Sequence, residues 1–212
     1  MSPYVAPRHR PRDSRLPRRS AYARAMDTAL ALVRHGQTDW NLAGRLQGRT
    51  DIELNETGRE QAREVGRALL GQGWDLVLGS PLSRAARTAQ LIAEVLRAPT
   101  GEPVPEVIER GFGPLEGRIM AGIPDAEATL LAEHAEDRQA VLRRALPALQ
   151  RIVEANPGRR ILVVSHGATM RIVRDALAGR PLGAKVENGE VLHVDPVRLA
   201  ELVREQEPAI AR

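Results

Sequence analysis

Short apolar runs punctuate the chain, and each ends abruptly at polar residues. Ala29–Val33 leads into Arg34-His35-Gly36. Asp75-Leu76-Val77-Leu78 leads through Gly79 to Ser80-Pro81. Pro105–Ile108 leads to Glu109, and Ile161-Leu162-Val163-Val164 leads to Ser165-His166-Gly167. Runs of this length with such borders predict buried strands. Helical spacing fills the intervals. Thr57 with Glu60 reads as a capping box, opening a helix to about Leu70 with Ala62, Val65 and Leu69 on one stripe. Ser80-Pro81 reads as an N-cap and first turn, with Ala85, Thr88, Ala89, Ile92 and Leu96 facing the core as far as Arg97. A long helical region is predicted over about 125–155, kinked or divided at Pro147. Another helix runs from Gly167 through Met170, Ile172 and Val173 to Gly179. Residues 38–56 and 111–117 read as loops. Glu190–Val194 alternates and predicts a last, antiparallel edge strand. Strands alternating with helices predict an α/β domain with a mainly parallel sheet covered on both faces.

Composition adds limits. The chain has 212 residues, enough for a single domain, and 42% of them are hydrophobic. Only 2% are aromatic, so aliphatic side chains fill the core and a base-stacking groove is disfavoured. There are no cysteines, which removes disulfides, thiolate chemistry and cysteine zinc sites. No apolar run reaches the roughly 18 residues of a membrane span, and a cytoplasmic protein is expected. The net charge of +4 comes from the tail: seven arginines precede Met26 against the single acid Asp13. Residues 1–26 therefore read as a disordered basic extension, or as sequence upstream of a start at Met26. A nucleic-acid arm is the sharper but less favoured alternative. The domain is expected over 27–212.

The strand ends carry the chemistry. In a parallel sheet they share one edge, where ligands bind. Arg34, His35, Arg84, Glu109 and His166 would meet there. Guanidinium groups hold phosphate oxygens through a planar fork. A neutral imidazole attacks phosphorus, and flanking arginines keep it neutral to lower pH. A glutamate protonates the leaving alkoxide and then deprotonates water. Helices starting after Ser80 and Gly167 would add N–H donors for an anion. Arg87 competes with Arg84, and Glu116 with Glu109; Glu116 reads as structural. His9, His134 and His193 have no supporting context. No carboxylate stands at ligand spacing beside His35 or His166, so no metal is expected.

The stretch Leu32-Val33-Arg34-His35-Gly36-Gln37-Thr38-Asp39-Trp40-Asn41 resembles the signature of the histidine phosphatase superfamily, in its cofactor-dependent phosphoglycerate mutase-like branch. The likeness continues at Gly44–Gly48, Asp51–Gly58, Ser80–Ala85, Glu109–Gly113 and Val163–Gly167, in the family's order. The resemblance implies a three-layer αβα sandwich needing neither metal nor other cofactor. It also implies a role for each matched residue: His35 as the nucleophile that becomes phosphohistidine, Arg34, Arg84 and His166 as the phosphate cradle, and Glu109 as proton donor and acceptor. Asn41 matches a phosphate-pocket position of the family, Gln47 and Gly48 match positions that contact the rest of a small phosphate monoester, and Gly167 is expected to bind substrate. The family's mutases carry a large insertion between the glutamate and the second histidine, and it is missing here. A site open to water hydrolyses its phosphoenzyme, so a phosphomonoesterase of the histidine acid phosphatase type is expected. The alternatives are a phosphoglycerate mutase-type phosphotransferase and a phospholigand-binding module without turnover. The stretch Arg118–Pro124 departs from the family's usual element there, which leaves the substrate open.

Overall fold

The computed structural model describes residues 28–119, 121, 124, 129 and 133–206. The basic extension expected over 1–26 lies outside the described residues. The strands are β1 (Ala29–Arg34), β2 (Leu76–Gly79), β3 (Arg160–Ser165) and β4 (Val191–Val194). The helices are α1 (Asp39–Leu42), α2 (Glu56–Ala68), α3 (Ser83–Leu96), α4 (Arg138–Ala155), α5 (Gly167–Leu177) and α6 (Pro196–Gln206).

The sheet order is β2-β3-β1-β4. β3 pairs in parallel with both β1 and β2, and β4 closes the edge antiparallel to β1. Register sets Arg34 against Ser165 and Gly79 against Val164. Arg34-His35, Ser80 and His166 therefore leave the sheet at one level. The ladder reaches one residue further: His35 N donates to the Ser165 carbonyl (3.0 Å), and Ser80 N to the Val164 carbonyl (2.9 Å).

Alternation along the strands divides the core. Leu30, Leu32, Leu78, Ile161 and Val163 face one way, against α4, α5 and α6 through Leu146, Leu149, Met170, Ile172 and Leu199. Ala31, Val33, Val77, Leu162 and Val164 face the other way, against α3 through Ala85, Ala89 and Ile92, with Leu69 and Trp74 completing the layer. Each fully buried aliphatic side chain stabilises the fold by about 1.5–3 kcal/mol. The expected αβα sandwich with an antiparallel edge strand is the fold observed.

Several local expectations need correction. Asn55, not Thr57, caps α2, accepting from Gly58 N at 2.9 Å. Ser80-Pro81 does not open α3: its cap is Leu82, without a side-chain bond, and the helix starts at Ser83. The segment before Glu109 is a 3-10 turn, Pro105–Val107, and not a strand. Pro99, Pro103 and Pro105 lack the N–H groups a strand would need, so this segment only brushes the β2 edge. It gives single bonds there from Gly101 N to the Val77 carbonyl (3.1 Å) and from Val104 N to the Gly79 carbonyl (2.8 Å). Helix α4 starts at Arg138, with Asp137 as its cap, and runs unbroken through Pro147. Most of 125–132, included in the expected long helix, lies outside the described residues. α1 and α6 were not foreseen. α1 falls inside the expected loop and rests on a reciprocal capping box between Thr38 and Asn41.

Candidate active site

β1 delivers Arg34 and His35 into a cavity of about 470 Å³. His35 is only 2% exposed. Its Nδ1 lies 2.7 Å from the Gly36 carbonyl oxygen. A carbonyl only accepts, so Nδ1 carries the proton and Nε2 keeps its lone pair. Burial holds the His35 pKa well below the ordinary histidine value, helped by the charges of Arg84 and Arg34 and opposed by the Gly36 bond. The turn is tight: a side chain on Gly36 would meet the Gly58 carbonyl at 2.1 Å. Gly36 N donates to Thr88 Oγ1 (3.1 Å), which itself donates to the Arg84 carbonyl (2.8 Å), so α3 and the β1 turn are fixed together.

Arg84 is fully buried at the start of α3. It donates to the Gly48 carbonyl (2.7 Å) and the Thr50 carbonyl (2.8 Å). Those carbonyls are held by Glu116, which accepts from Arg49 N, Thr50 N, Thr50 Oγ1 and Phe112 N. Glu116 is thus a clamp for the Gly48–Thr50 loop, as its reading as structural requires. Arg87 instead pairs along the helix surface with Gln90 and Glu94.

His166 is buried beside His35, with ring centroids 5.1 Å apart. Burial holds its pKa well below the ordinary value, with His35, Arg84, Arg34 and Arg144 pushing the same way. Its Nε2 lies 2.7 Å from Ser80 Oγ. Ser80 Oγ also accepts from Leu82 N at 3.4 Å. The Ser80 hydroxyl can donate to His166 Nε2, an arrangement that puts the imidazole proton on Nδ1. His166 Nδ1 is a buried nitrogen with no partner among the described residues, and Arg34 Nε and Arg84 Nε are buried donors with none. An unsatisfied buried donor costs about 1–3 kcal/mol. Arg34 and Arg84 line the cavity and His166 is buried next to His35, an arrangement that suits an anion with several oxygens.

Glu109 follows the 3-10 turn and is 8% exposed. Its Oε1 accepts from Arg110 N (2.8 Å), Thr169 N (2.9 Å) and Thr169 Oγ1 (3.1 Å), and Oε2 from Ala168 N (3.1 Å). This narrows the expectation for α5: the N–H groups of Ala168 and Thr169 hold Glu109 and are not free for substrate, whereas Gly167, the first residue of the helix, lines the cavity. Oε2 keeps one lone pair open and is the atom able to carry a proton.

Asn41, Gln47, Gly48 and Gly167 all line the cavity. Asn41 Oδ1 accepts from Thr38 N, and Gln47 Oε1 from Thr38 Oγ1. Gly167 lies under Arg34: a side chain there would sit 3.1 Å from Arg34 Nε. His134 and His193 do not line the cavity, and His193 stacks against Trp74. His9 lies outside the described residues. Among the described residues no three His, Cys, Asp or Glu side chains are grouped to hold a metal ion.

Sequence reasoning missed the segment 185–188 and Arg171, all of which line the cavity. Asn188 Nδ2 donates to the His35 carbonyl (2.9 Å) and to Asn41 Oδ1 (3.3 Å). Arg34 donates to the Val186 carbonyl. The antiparallel edge strand was the available signal. Residues just before such a strand arrive at the edge where β1 ends.

A buried histidine beside unpaired guanidinium donors and a carboxyl group, on an αβα scaffold, is an arrangement chemically able to hold a phosphoryl group. Residues 30–208 match the model of the histidine phosphatase superfamily (branch 1), and the chain belongs to that family. It is 38% identical over 152 residues to the uncharacterised phosphatase PhoE of Bacillus subtilis, covering 72% of this chain and 78% of that one. It is 33% identical over 177 residues to a metal-independent phosphoserine phosphatase of Arabidopsis thaliana, covering 75% and 74%. Among solved structures, a mycobacterial glucosyl-3-phosphoglycerate phosphatase superposes with TM-score 0.69 at 29% identity, covering 78% and 90%. Phosphoserine phosphatase of Entamoeba histolytica, in complex with 3-phosphoglyceric acid, superposes with TM-score 0.67 at 29% identity, covering 78% and 89%.

Proposed function

We propose that the protein hydrolyses phosphate monoesters in two steps through a phosphohistidine on His35. The observation that carries this is the Nδ1–H bond to the Gly36 carbonyl, which leaves Nε2 unprotonated beside the unpaired donors of Arg34, Arg84 and His166. In the first step Nε2 forms a bond to phosphorus as the ester P–O bond breaks. The leaving oxygen takes the proton from Glu109 Oε2. In the second step Glu109 takes a proton from water, whose oxygen bonds to phosphorus as the P–Nε2 bond breaks, releasing inorganic phosphate and neutral His35. The arginines and the His166 Nδ1–H bear the charge developing on the equatorial oxygens, the main source of acceleration in such reactions. Asn41, Gln47 and Gly48 bound the space for the rest of the ester.

The test is hydrolysis of p-nitrophenyl phosphate with and without chelator, for the unaltered protein and His35→Ala. The reading expects turnover that survives chelation, falls by at least about 10³-fold in the variant, and passes through an acid-labile, base-stable phosphoenzyme. Unchanged turnover in His35→Ala refutes it. Several relatives are named as probable phosphoglycerate mutases, one from Yersinia pestis being 32% identical over 165 residues. Phosphate passing from the phosphoenzyme to 3-phosphoglycerate in preference to water would establish that second reading.

A further inference from the structure

The peptide that follows the nucleophile is not part of the sheet. His35 N still bonds to the Ser165 carbonyl (3.0 Å), but side chains satisfy both polar ends of the His35–Gly36 peptide unit. Its carbonyl oxygen accepts from Asn188 Nδ2 at 2.9 Å, and its N–H donates to Thr88 Oγ1 at 3.1 Å. A peptide unit is a rigid plane. Held at one end it can still rotate; held at both it cannot. The plane leads directly into the Gly36 carbonyl, which holds the His35 Nδ1–H. Its orientation therefore sets how the His35 ring is held.

Asn188 is itself fixed by a turn. Glu190 N donates to the Glu187 carbonyl (3.0 Å), and Gly189, the third residue of that turn, has φ +77°, which suits glycine. Gly189 N donates to the Arg34 carbonyl and Arg34 N to the Glu190 carbonyl, both at 3.0 Å, so the turn is anchored to the end of β1. Asn188 Nδ2 has a second hydrogen, and Asn41 Oδ1 accepts it at 3.3 Å. Chemistry fixes both amides. The His35 carbonyl only accepts, so the Asn188 atom facing it is nitrogen. Thr38 N only donates, so the Asn41 atom 3.2 Å from it is oxygen. Asn41 Nδ2 is the end left over. It has no partner among the described residues, and Asn41 lines the cavity.

We propose that Asn188 is a positioning residue for phosphoryl transfer. Its one amide nitrogen fixes the peptide behind the nucleophile and turns the NH2 group of Asn41 toward the bound ester. This rests on the phosphatase reading and deepens it, because the turn before β4 then aims groups that lie on other elements. A displacement of about 1 Å at a reacting group can cost about 100-fold in rate.

Asn188→Leu keeps the bulk of the side chain and removes both hydrogen bonds. On p-nitrophenyl phosphate its kcat is expected to fall about 10–100-fold with KM changed by less than about threefold, because aim is lost more than affinity. Asn41→Ala removes one of the two groups that Asn188 aims. The losses are therefore expected to overlap, the double variant Asn41→Ala/Asn188→Leu being faster than the product of the single losses predicts. Thermal melts establish that each variant is folded; should Asn188→Leu not fold, the smaller Asn188→Ala takes its place with the same expectations. A kcat within about twofold of the unaltered protein, or single losses that multiply in the double variant, overturns the proposal. Histidine-ring 15N spectra read the aim without turnover. His35 is expected as the Nδ1–H tautomer in the unaltered protein, with the Nε2–H tautomer appearing in Asn188→Leu. Unchanged His35 ring signals in that variant overturn the proposal as well. If no ester is hydrolysed by the unaltered protein, the phosphatase reading fails, and the ring spectra still decide whether Asn188 positions His35.

Discussion

The proton positions on two histidines decide what this site can do. For His35 the Gly36 carbonyl fixes the tautomer outright. For His166 the tautomer depends on one hydroxyl, Ser80 Oγ, at 2.7 Å. Ser80→Ala frees the imidazole to carry its proton on either nitrogen, and in half of the choices Nδ1 turns a lone pair toward the phosphoryl oxygens. The expected loss is about 10–100-fold in kcat/KM on p-nitrophenyl phosphate, with stability lowered by only about 1 kcal/mol. Steady-state kinetics beside thermal melts measure the two effects separately. Unchanged kcat/KM would show that Ser80 does not set the His166 proton. The residues His35, Arg84, Glu109 and His166 were legible from the sequence because each follows an apolar run or opens a helix. The partner role of Ser80 was not. A serine before a proline at a helix start looks like a cap, and only tertiary packing shows its hydroxyl turned to a histidine far along the chain.

Elements were legible where their apolar pattern was unbroken. β1 and β3 emerge with the expected bounds because Leu30–Val33 and Ile161–Val164 are buried on both faces of the sheet. The segment before Glu109 was misread because its apolar residues suggest a strand while its prolines deny it the hydrogen bonds. Something other than the sheet must therefore hold Glu109, and α4 supplies it. Arg144 donates to the carbonyls of Glu106 and Glu109 and pairs with Glu136, which in turn accepts from Gly111 N. Both members of the pair are largely buried, at 17% and 15% side-chain exposure. Arg144→Met keeps the aliphatic packing but releases the 106–111 turn. A stability loss of about 1–3 kcal/mol is expected from the unpaired acceptors, together with a lower kcat at little-changed KM. Adding Glu136→Gln should recover part of the stability and none of the kcat, because the turn remains loose. Denaturant melts and kinetics on the single and double variants check this. Recovery of kcat in the double variant would place the effect in the buried charge and not in the position of Glu109.

Across the whole molecule, the two-sided core was readable from alternation, whereas α6 was not, since Leu199 and Leu202 are few and follow a proline start. The fold buries two neutral histidines at the sheet edge, and this sets its response to pH. The unfolded chain binds a proton at each near pH 6.5, whereas folded His35 and His166 resist protonation because burial, then neighbouring charge, depress both pKa values. Between the depressed folded value and pH 6.5 the unfolded state holds more protons, so stability rises with pH there. The contribution is complete above about pH 7 and is lost as pH falls, by up to about 1.4 kcal/mol per pH unit for each histidine. Glu116, Glu136 and Asp175 act in a lower window. Burial raises their pKa values, but hydrogen bonds outweigh it and leave each below the ordinary carboxylate range. Their contribution persists above about pH 4.5 and is lost only below it. Melts between pH 5 and 7 therefore isolate the histidines. The unaltered protein is expected to lose stability steadily over that range, and the double variant His35→Asn/His166→Gln to give a flatter line, so that the two curves converge as pH falls. Parallel curves would mean that folded His35 and His166 take up protons as readily as the unfolded chain does, contrary to two imidazoles kept neutral by burial.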